Sequence, residues 1–291
     1  MHDPEKWYRF SDKIMQRETA PERQEMNELA KTDKVLSRKE AGVGYVVFNN
    51  PERHNAMSLD MWAATGRIMD DFARDDSLRV VVLTGAGSKA FVSGADISRF
   101  GAERSNEEAV AHYNETVEKA SSALYNYPKP TIAMIRGYCI GGGLAIATCC
   151  DLRIAADHST FAVPAAKLGL GYGYSGLKRL IDVVGAAFAK EIFYTARQFN
   201  AEEAKVMGLV NRVVPDAELE GYVKKYGETI AGNAPLTIKA LKTVVGELVK
   251  DESKRDVQLM QDVVNTCFRS KDYLEGRDAF MEKRKPVFTG T

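Results

Sequence analysis

The sequence predicts an α/β core over residues 33–215 and a helical region over 216–291, with residues 1–32 as an extension. Three observations predict it. Short apolar segments of strand character, such as 80–84 and 131–135, alternate with segments of helical character, which implies crossover connections. From Asp216 onward the pattern turns almost wholly helical. A chain of 291 residues with 45% hydrophobic and 27% charged content can bury one large core, or a core plus a small appendage.

Taken in order, residues 1–32 are polar and charged, with Trp7, Tyr8, Phe10, Ile14 and Met15 as the main apolar points, and read as a docking arm or partly ordered extension. Residues 35–39 and 43–48, split by a glycine-containing turn, read as a hairpin. Ser58 precedes a helix that runs to about residue 73, and Asp60 suits its first turn. Residues 80–84 are almost fully apolar, as in a strand buried within a parallel sheet. A helix over 106–125 stops before Pro128 and Pro130. Strands follow at 131–135 and 152–155, with a glycine triplet and a helix over 144–150 between them. The tail reads as helices over 217–231, 236–249, 254–268 and 272–283. Core and tail form one functional unit with a seam near Pro215.

Forty basic and forty acidic residues cancel, so charge points to no nucleic-acid or membrane partner. No apolar run approaches the roughly 20 residues that span a bilayer. The first residues lack the basic and apolar stretches of a signal peptide and are too acidic for a typical transit peptide. Cys139, Cys149, Cys150 and Cys267 match no zinc spacing and no disulfide framework, and read as buried thiols in a reducing cytosol. His2, His54, His112 and His158 are too dispersed for a metal site, and His54 reads as a loop residue.

The segment Gly137-Tyr138-Cys139-Ile140-Gly141-Gly142-Gly143-Leu144-Ala145 has the composition of an anion site. Small residues let the backbone approach a ligand, and the first amides of a following helix point free with the dipole behind them. A bare glycine triplet is equally compatible with a tight turn or a close helix contact. Upstream lies Lys89-Ala90-Phe91-Val92-Ser93-Gly94-Ala95-Asp96-Ile97, downstream Phe161-Ala162-Val163-Pro164-Ala165, and the tail carries Glu275-Gly276-Arg277-Asp278-Ala279-Phe280-Met281-Glu282-Lys283-Arg284-Lys285-Pro286. From about residue 33 to 291 the chain resembles the crotonase family, the enoyl-CoA hydratase/isomerase superfamily.

The resemblance implies a spiral of ββα turns forming two roughly perpendicular sheets, followed by helices that build trimers, often dimers of trimers. It implies an acyl-CoA thioester bound without a separate cofactor, coenzyme A being part of the substrate. The amides of Ala95 and Gly142 would form the oxyanion hole, with Gly141 beside them. The adenine would lie near Lys89 and residues 95–98 (Ala95, Asp96, Ile97, Ser98), while Phe280 and Lys283, often from a neighbouring subunit, would lie near the CoA. The expected location is the cytoplasm.

Hydratases of the family carry glutamates where this chain has Ala145 and Ala165, and isomerases use a carboxylate at the latter position or near Gly173. An alanine methyl transfers no proton. Decarboxylation of a malonyl-type thioester needs no base, because the departing carboxylate leaves its electrons in an enolate that the oxyanion hole stabilises. Residues 159–172 and 283–286 also resemble methylmalonyl-CoA decarboxylases, whose active-site tyrosine matches Tyr172; Tyr174 is a weaker candidate. Those enzymes carry a histidine at Ala95 and a threonine at Pro164. The sequence therefore points to a decarboxylase or related lyase. A hydratase or isomerase using displaced groups, and a non-catalytic acyl-CoA-binding homologue, remain the alternatives.

Overall fold

The computed structural model describes residues 30–291, so the expected extension falls outside it except for its last three residues. Strands β1 (Val35–Glu40) and β2 (Val43–Phe48) form the expected hairpin. Helix α1 (Leu59–Arg74) comes next, then β3 (Val80–Gly85), β4 (Ala90–Val92), the short α2 (Phe100–Glu103) and α3 (Glu107–Tyr125). Asn106 caps α3 by accepting from the Ala109 N–H at 2.8 Å, and the prolines beyond its end stop it as expected. After them lie β5 (Thr131–Ile135), β6 (Tyr138–Ile140), α4 (Gly142–Cys149), β7 (Leu152–Ala156) and β8 (Thr160–Ala162). Helix α5 (Tyr174–Thr195), β9 (Phe199–Asn200), α6 (Ala201–Val206), β10 (Arg212–Val214) and α7 (Leu219–Ala231) complete the core and begin the tail. The tail continues with α8 (Pro235–Leu248), α9 (Val257–Arg269) and α10 (Lys271–Glu282).

Six strands form one sheet in the order β1-β2-β3-β5-β7-β10, parallel except for the hairpin. A smaller sheet has the order β4-β6-β8-β9, parallel except for the last pair. The two sheets share a repeating unit. A strand of the large sheet, a strand of the small one and a helix recur as β3-β4-α3, β5-β6-α4 and β7-β8-α5. This is the ββα arrangement that the family resemblance implies.

Every residue of β3 and β5 is buried. Successive side chains point to opposite faces, so each strand feeds two cores. Val81, Leu83, Ala133 and Ile135 join the α1 residues Met61, Trp62, Ile68 and Phe72. Val80, Val82, Ile132 and Met134 join Leu219 and Val223 of α7. That double burial is why these strands read as unbroken apolar runs rather than alternating ones.

The sequence pattern does not announce α5. Its helical path is interrupted at Gly185 (φ 75°, ψ 165°), which breaks the apolar stripe a helix of this length would otherwise show. The expected helix over 144–150 begins two residues earlier, so Gly142 and Gly143 belong to the helix itself. The expected helix over 254–268 starts only at Val257. Residues 252–254 form a separate 3₁₀ turn, and Asp256 caps α9 by accepting from the Leu259 N–H.

One contact fixes α4 against the small sheet. A Cβ added to Gly143 would stand 2.2 Å from the Val92 carbonyl oxygen, so the helix touches β4 backbone to backbone. Gly143→Ala is expected to lower unfolding stability by about 2 kcal/mol or more, because a backbone atom cannot step aside. Gly171→Ala, where a Cβ would meet nothing within 4 Å, should stay within about 0.5 kcal/mol of wild type. Denaturant unfolding of both variants checks the pair.

Candidate active site

The small sheet's parallel strands deliver three loops to one place. After β4 the chain passes through Gly94 and Ala95, after β6 through Gly141 into α4, and after β8 through Val163. Ala95 forms a parallel bridge with Met57, in which the Met57 N–H donates to the Gly94 oxygen and the Asp96 N–H to the Met57 oxygen, both at 2.8 Å. That pattern uses the groups on either side of Ala95 and turns its own N–H to the opposite side.

Gly141 stands at φ 53°, ψ −110°, a conformation open to glycine because it has no Cβ. Its N–H donates to the Ala162 oxygen at 2.8 Å, and its oxygen accepts the first intrahelical bond from the Ala145 N–H at 3.0 Å. Gly142 is thus the first helical residue, one of the positions whose N–H has no partner within the helix. A Cβ on Gly142 would lie 3.8 Å from the Gly94 carbonyl carbon and 3.4 Å from the Trp62 ring. The Gly94–Ala95 peptide and the start of α4 are therefore direct neighbours.

Beside this pair lies a narrow cleft of about 10 Å³. Gly141, Leu144, Ala145 and Thr148 form one wall; Val163, Tyr172, Gly176, Leu180 and Phe193 form the rest. None of these residues carries a carboxylate. The Thr148 hydroxyl donates to the Ala145 oxygen at 3.0 Å. Tyr172 packs edge-on against Phe193, ring centroids 4.8 Å apart, and supplies the one titratable side chain of the cleft. Burial, helped by the nearby Tyr113, raises the Tyr172 pKa above the usual phenol range, so the hydroxyl stays protonated at neutral pH.

The other sequence candidates fall in different places. Ala165 is buried in the 3₁₀ turn Pro164–Lys167 and does not line the cleft; Val163, two residues earlier, does. Tyr174 is 80% exposed and stands outside the cleft. Asp96 is buried; it accepts from the Ser98 N–H at 3.1 Å and the Ser98 hydroxyl at 2.6 Å, with Arg53 3.7 Å away. It braces the loop after Ala95, while Ile97, Ser98 and Lys89 face solvent. Phe280 is 82% exposed on α10 and Lys283 ends that helix; the cleft lining includes neither.

Sequence reasoning missed several participants. Asn55 is buried with φ 56° and donates to the oxygens of Ala86 and Ala90 at 2.9 and 2.8 Å, tying the loops that flank β4. Its place in a loop beside His54 offered no hydrophobic pattern to mark it. Trp62 under Gly142 was visible only as an apolar helix residue. Leu180 and Phe193 reach the cleft from α5, the helix that the pattern conceals.

Cys139, Cys149 and Cys150 are buried and unpaired, and burial raises their thiol pKa values, that of Cys149 to about 12, which leaves them inert. Among the described residues no group of histidines, cysteines and carboxylates could hold a metal, and no helix is long and apolar enough to cross a membrane.

Two sheets built from recurring ββα units define the fold class. The sequence profile described as enoyl-CoA hydratase/isomerase matches residues 38–291, and the chain belongs to that family. It is 34% identical over 251 residues to the short-chain-enoyl-CoA hydratase of Clostridium acetobutylicum, covering 86% of this chain and 95% of that one. It is also 34% identical over 256 residues to the crotonyl-CoA hydratase of Syntrophomonas wolfei, covering 88% and 98%. The solved structure of an enoyl-CoA hydratase/carnithine racemase from Magnetospirillum magneticum superposes with a TM-score of 0.85 at 37% identity, covering 89% and 97%.

Replacing Gly142 by proline removes one N–H at a first-helical-turn position that accepts proline. If the two amides hold a developing oxyanion, Gly142→Pro is expected to lower kcat by about 100- to 1,000-fold, as loss of one such donor does. Circular dichroism should show the helical content retained.

Proposed function

We propose that this protein acts on an acyl-CoA thioester, holding the thioester oxygen between the amides of Ala95 and Gly142 while negative charge builds on it. The reaction we assign is decarboxylation of a malonyl-type thioester. The bond from the α-carbon to the carboxylate breaks, carbon dioxide leaves, and the electron pair enters the thioester as an enolate. Protonation of the α-carbon then yields the shortened acyl-CoA. Tyr172, kept protonated by burial, is the group placed to orient the carboxylate or deliver that proton.

One observation carries this reading: a methyl group at Ala145 and no carboxylate anywhere on the cleft lining. Water addition needs a base and an acid beside the reacting carbons. An ionised side chain would also repel a bound substrate carboxylate, by about 4 kcal/mol for unit charges about 4 Å apart at an effective dielectric near 20. An apolar cleft imposes no such repulsion.

A second reading has its own support. The Clostridium and Syntrophomonas relatives are hydratases by name, so hydration through groups other than the two missing glutamates is the alternative. A non-catalytic acyl-CoA-binding role is the third. In each, the CoA adenine would lie along Lys89 and residues 95–98. Phe280 and Lys283, exposed on one chain, would reach a neighbouring subunit's CoA in a trimer or dimer of trimers. The exposed apolar residues Leu241, Val245, Val257 and Phe268 of α8 and α9 are the surface such an assembly would cover.

Incubation with malonyl-, methylmalonyl- and crotonyl-CoA separates these readings. Carbon dioxide release from a malonyl-type thioester is expected, with Tyr172→Phe slower by about 100-fold or more. Water addition to crotonyl-CoA without carbon dioxide release would establish the hydratase reading instead. Tight binding with no turnover would establish the third. The pH profile adds a further check. With no carboxylate on the cleft and Tyr172 protonated, kcat should be flat from about pH 5.5 to 9, whereas a glutamate-dependent reaction would fall on the acid side as its base is protonated.

A further inference from the structure

At the end of α4 opposite Gly142 a guanidinium lies buried without a counter-ion. Arg153, in β7, is 6% exposed. Its Nε donates to the Leu209 oxygen at 2.7 Å. One terminal nitrogen donates to the Cys150 oxygen at 2.7 Å and to the Ala147 oxygen at 3.3 Å. Cys150 is the residue that closes α4, so the guanidinium caps that helix's C-terminal carbonyls. Among the described residues no carboxylate pairs with it. Asp151, the acid nearest in sequence, is turned to Lys242 at 2.7 Å and to the Thr131 N–H and hydroxyl at 2.7 and 2.9 Å. Burial keeps the neighbouring thiols of Cys149 and Cys150 protonated, so they bring no charge either.

Taking an unpaired cation out of water is costly, and an arginine stays charged. A neutral donor would satisfy carbonyl oxygens with less desolvation. What it would lack is charge, and here the charge sits at the C-terminal end of α4, where a helix carries its partial negative charge. The other end of α4 begins at Gly142, whose N–H is one of the two donors of the proposed oxyanion hole. The helix has eight residues, so its ends stand about 12 Å apart at 1.5 Å per residue. Six of the eight are buried, which leaves little water between the ends to screen the field.

We infer that Arg153 is a positioning residue whose buried charge offsets the negative end of α4 and so strengthens the Gly142 end as an anion site. This rests on the oxyanion part of the function proposed above and not on its decarboxylation step. For unit charges about 12 Å apart at an effective dielectric near 20, the interaction corresponds to about a tenfold change in an equilibrium constant. Arg153 should therefore shift the ionisation of a bound enolate by about one pH unit, and leave a neutral thioester almost unaffected.

The test uses acetoacetyl-CoA. This β-keto thioester loses a proton to solvent from the carbon between its two carbonyls, and the enolate so formed has a near-ultraviolet absorbance of its own. Titrating the protein-bound ligand gives its apparent pKa, which wild type is expected to hold below that of the free ligand. Arg153→Gln should raise the bound value by about one unit, while affinity for butyryl-CoA, neutral throughout, stays nearly constant. Arg153→Met, similar in length and uncharged, gives the same reading should the glutamine variant fail to fold. Arg153→Lys keeps the charge and should return the bound value most of the way to wild type. An unchanged bound pKa in the uncharged variants overturns the inference and leaves the oxyanion reading intact. Equal weakening of both ligands, or a lysine variant no better than the glutamine one, also overturns it, because the arginine then serves only the fold. A wild-type value no lower than that of free acetoacetyl-CoA overturns the inference and the oxyanion hole together.

Discussion

The site depends on one contact that no side chain makes: the start of α4 lying against the end of β4. With Gly143 against the Val92 carbonyl, two backbones approach more closely than a residue with a Cβ would permit, and Gly142 stands next to the Gly94 peptide. On the proposed reading, that approach would serve two amides, one from a loop braced by Asp96 and Ser98, the other from a helix terminus whose dipole favours negative charge. Side chains that could move independently contribute little to the positions of these donors. Such an arrangement would be preorganised by the fold, which is what makes donors of this kind effective at a developing oxyanion. The sheets serve the same end, since β4, β6 and β8 run parallel and place their C-terminal ends together, where open α/β sheets bind ligands.

The remainder of the cleft is unusually poor in chemistry. Carboxylates exist nearby in sequence and space but are committed elsewhere. Glu118 pairs with Arg179 at 2.9 Å, and Asp60 and Glu103 face Arg99. Those pairs hold α3 to α5 and tie α1 and α2 to the turn between them, and none of these side chains lines the cleft. The group that does enter it is Tyr172, whose hydroxyl is kept neutral by the same burial that excludes water. On the proposed reading, an apolar wall with one phenol would suit enolate formation more than activation of water. Relatives named as hydratases set a counterweight, but fold and family do not by themselves fix a reaction, which belongs to the groups at the site.

Much of the fold was legible because its strands are buried on both faces. Residues 80–84 and 131–135 form apolar runs with turn residues at their ends, and the structure places strands there within a residue. The site's backbone was legible only through family resemblance, since the triplet alone fits a turn, a packing contact or an anion site. The structure gives each glycine a separate duty: Gly141 makes the turn, Gly142 leaves its N–H open, and Gly143 permits the close approach. The missing parts share a physical reason. Helix α5 breaks its own period at Gly185, strands of two or three residues are too short to alternate, and Asn55 acts through bonds to backbone oxygens about thirty residues away. Ala165 shows the opposite limit. A position matched by motif can sit behind the surface it was expected to form, because one tight turn decides which of Val163 and Ala165 faces the cleft.

That last displacement bears on the chemistry. Position 145 lies on the cleft wall, whereas position 165 does not. The two alanines are thus unequal losses, and the one at 145 shapes the present cleft more directly. It borders the same helix turn that supplies the Gly142 amide, so on the proposed reading an acid there would sit near the developing oxyanion. Its absence lowers the negative charge there. On the proposed reading the cleft would favour a bound anion twice over, through donors it offers and repulsion it lacks.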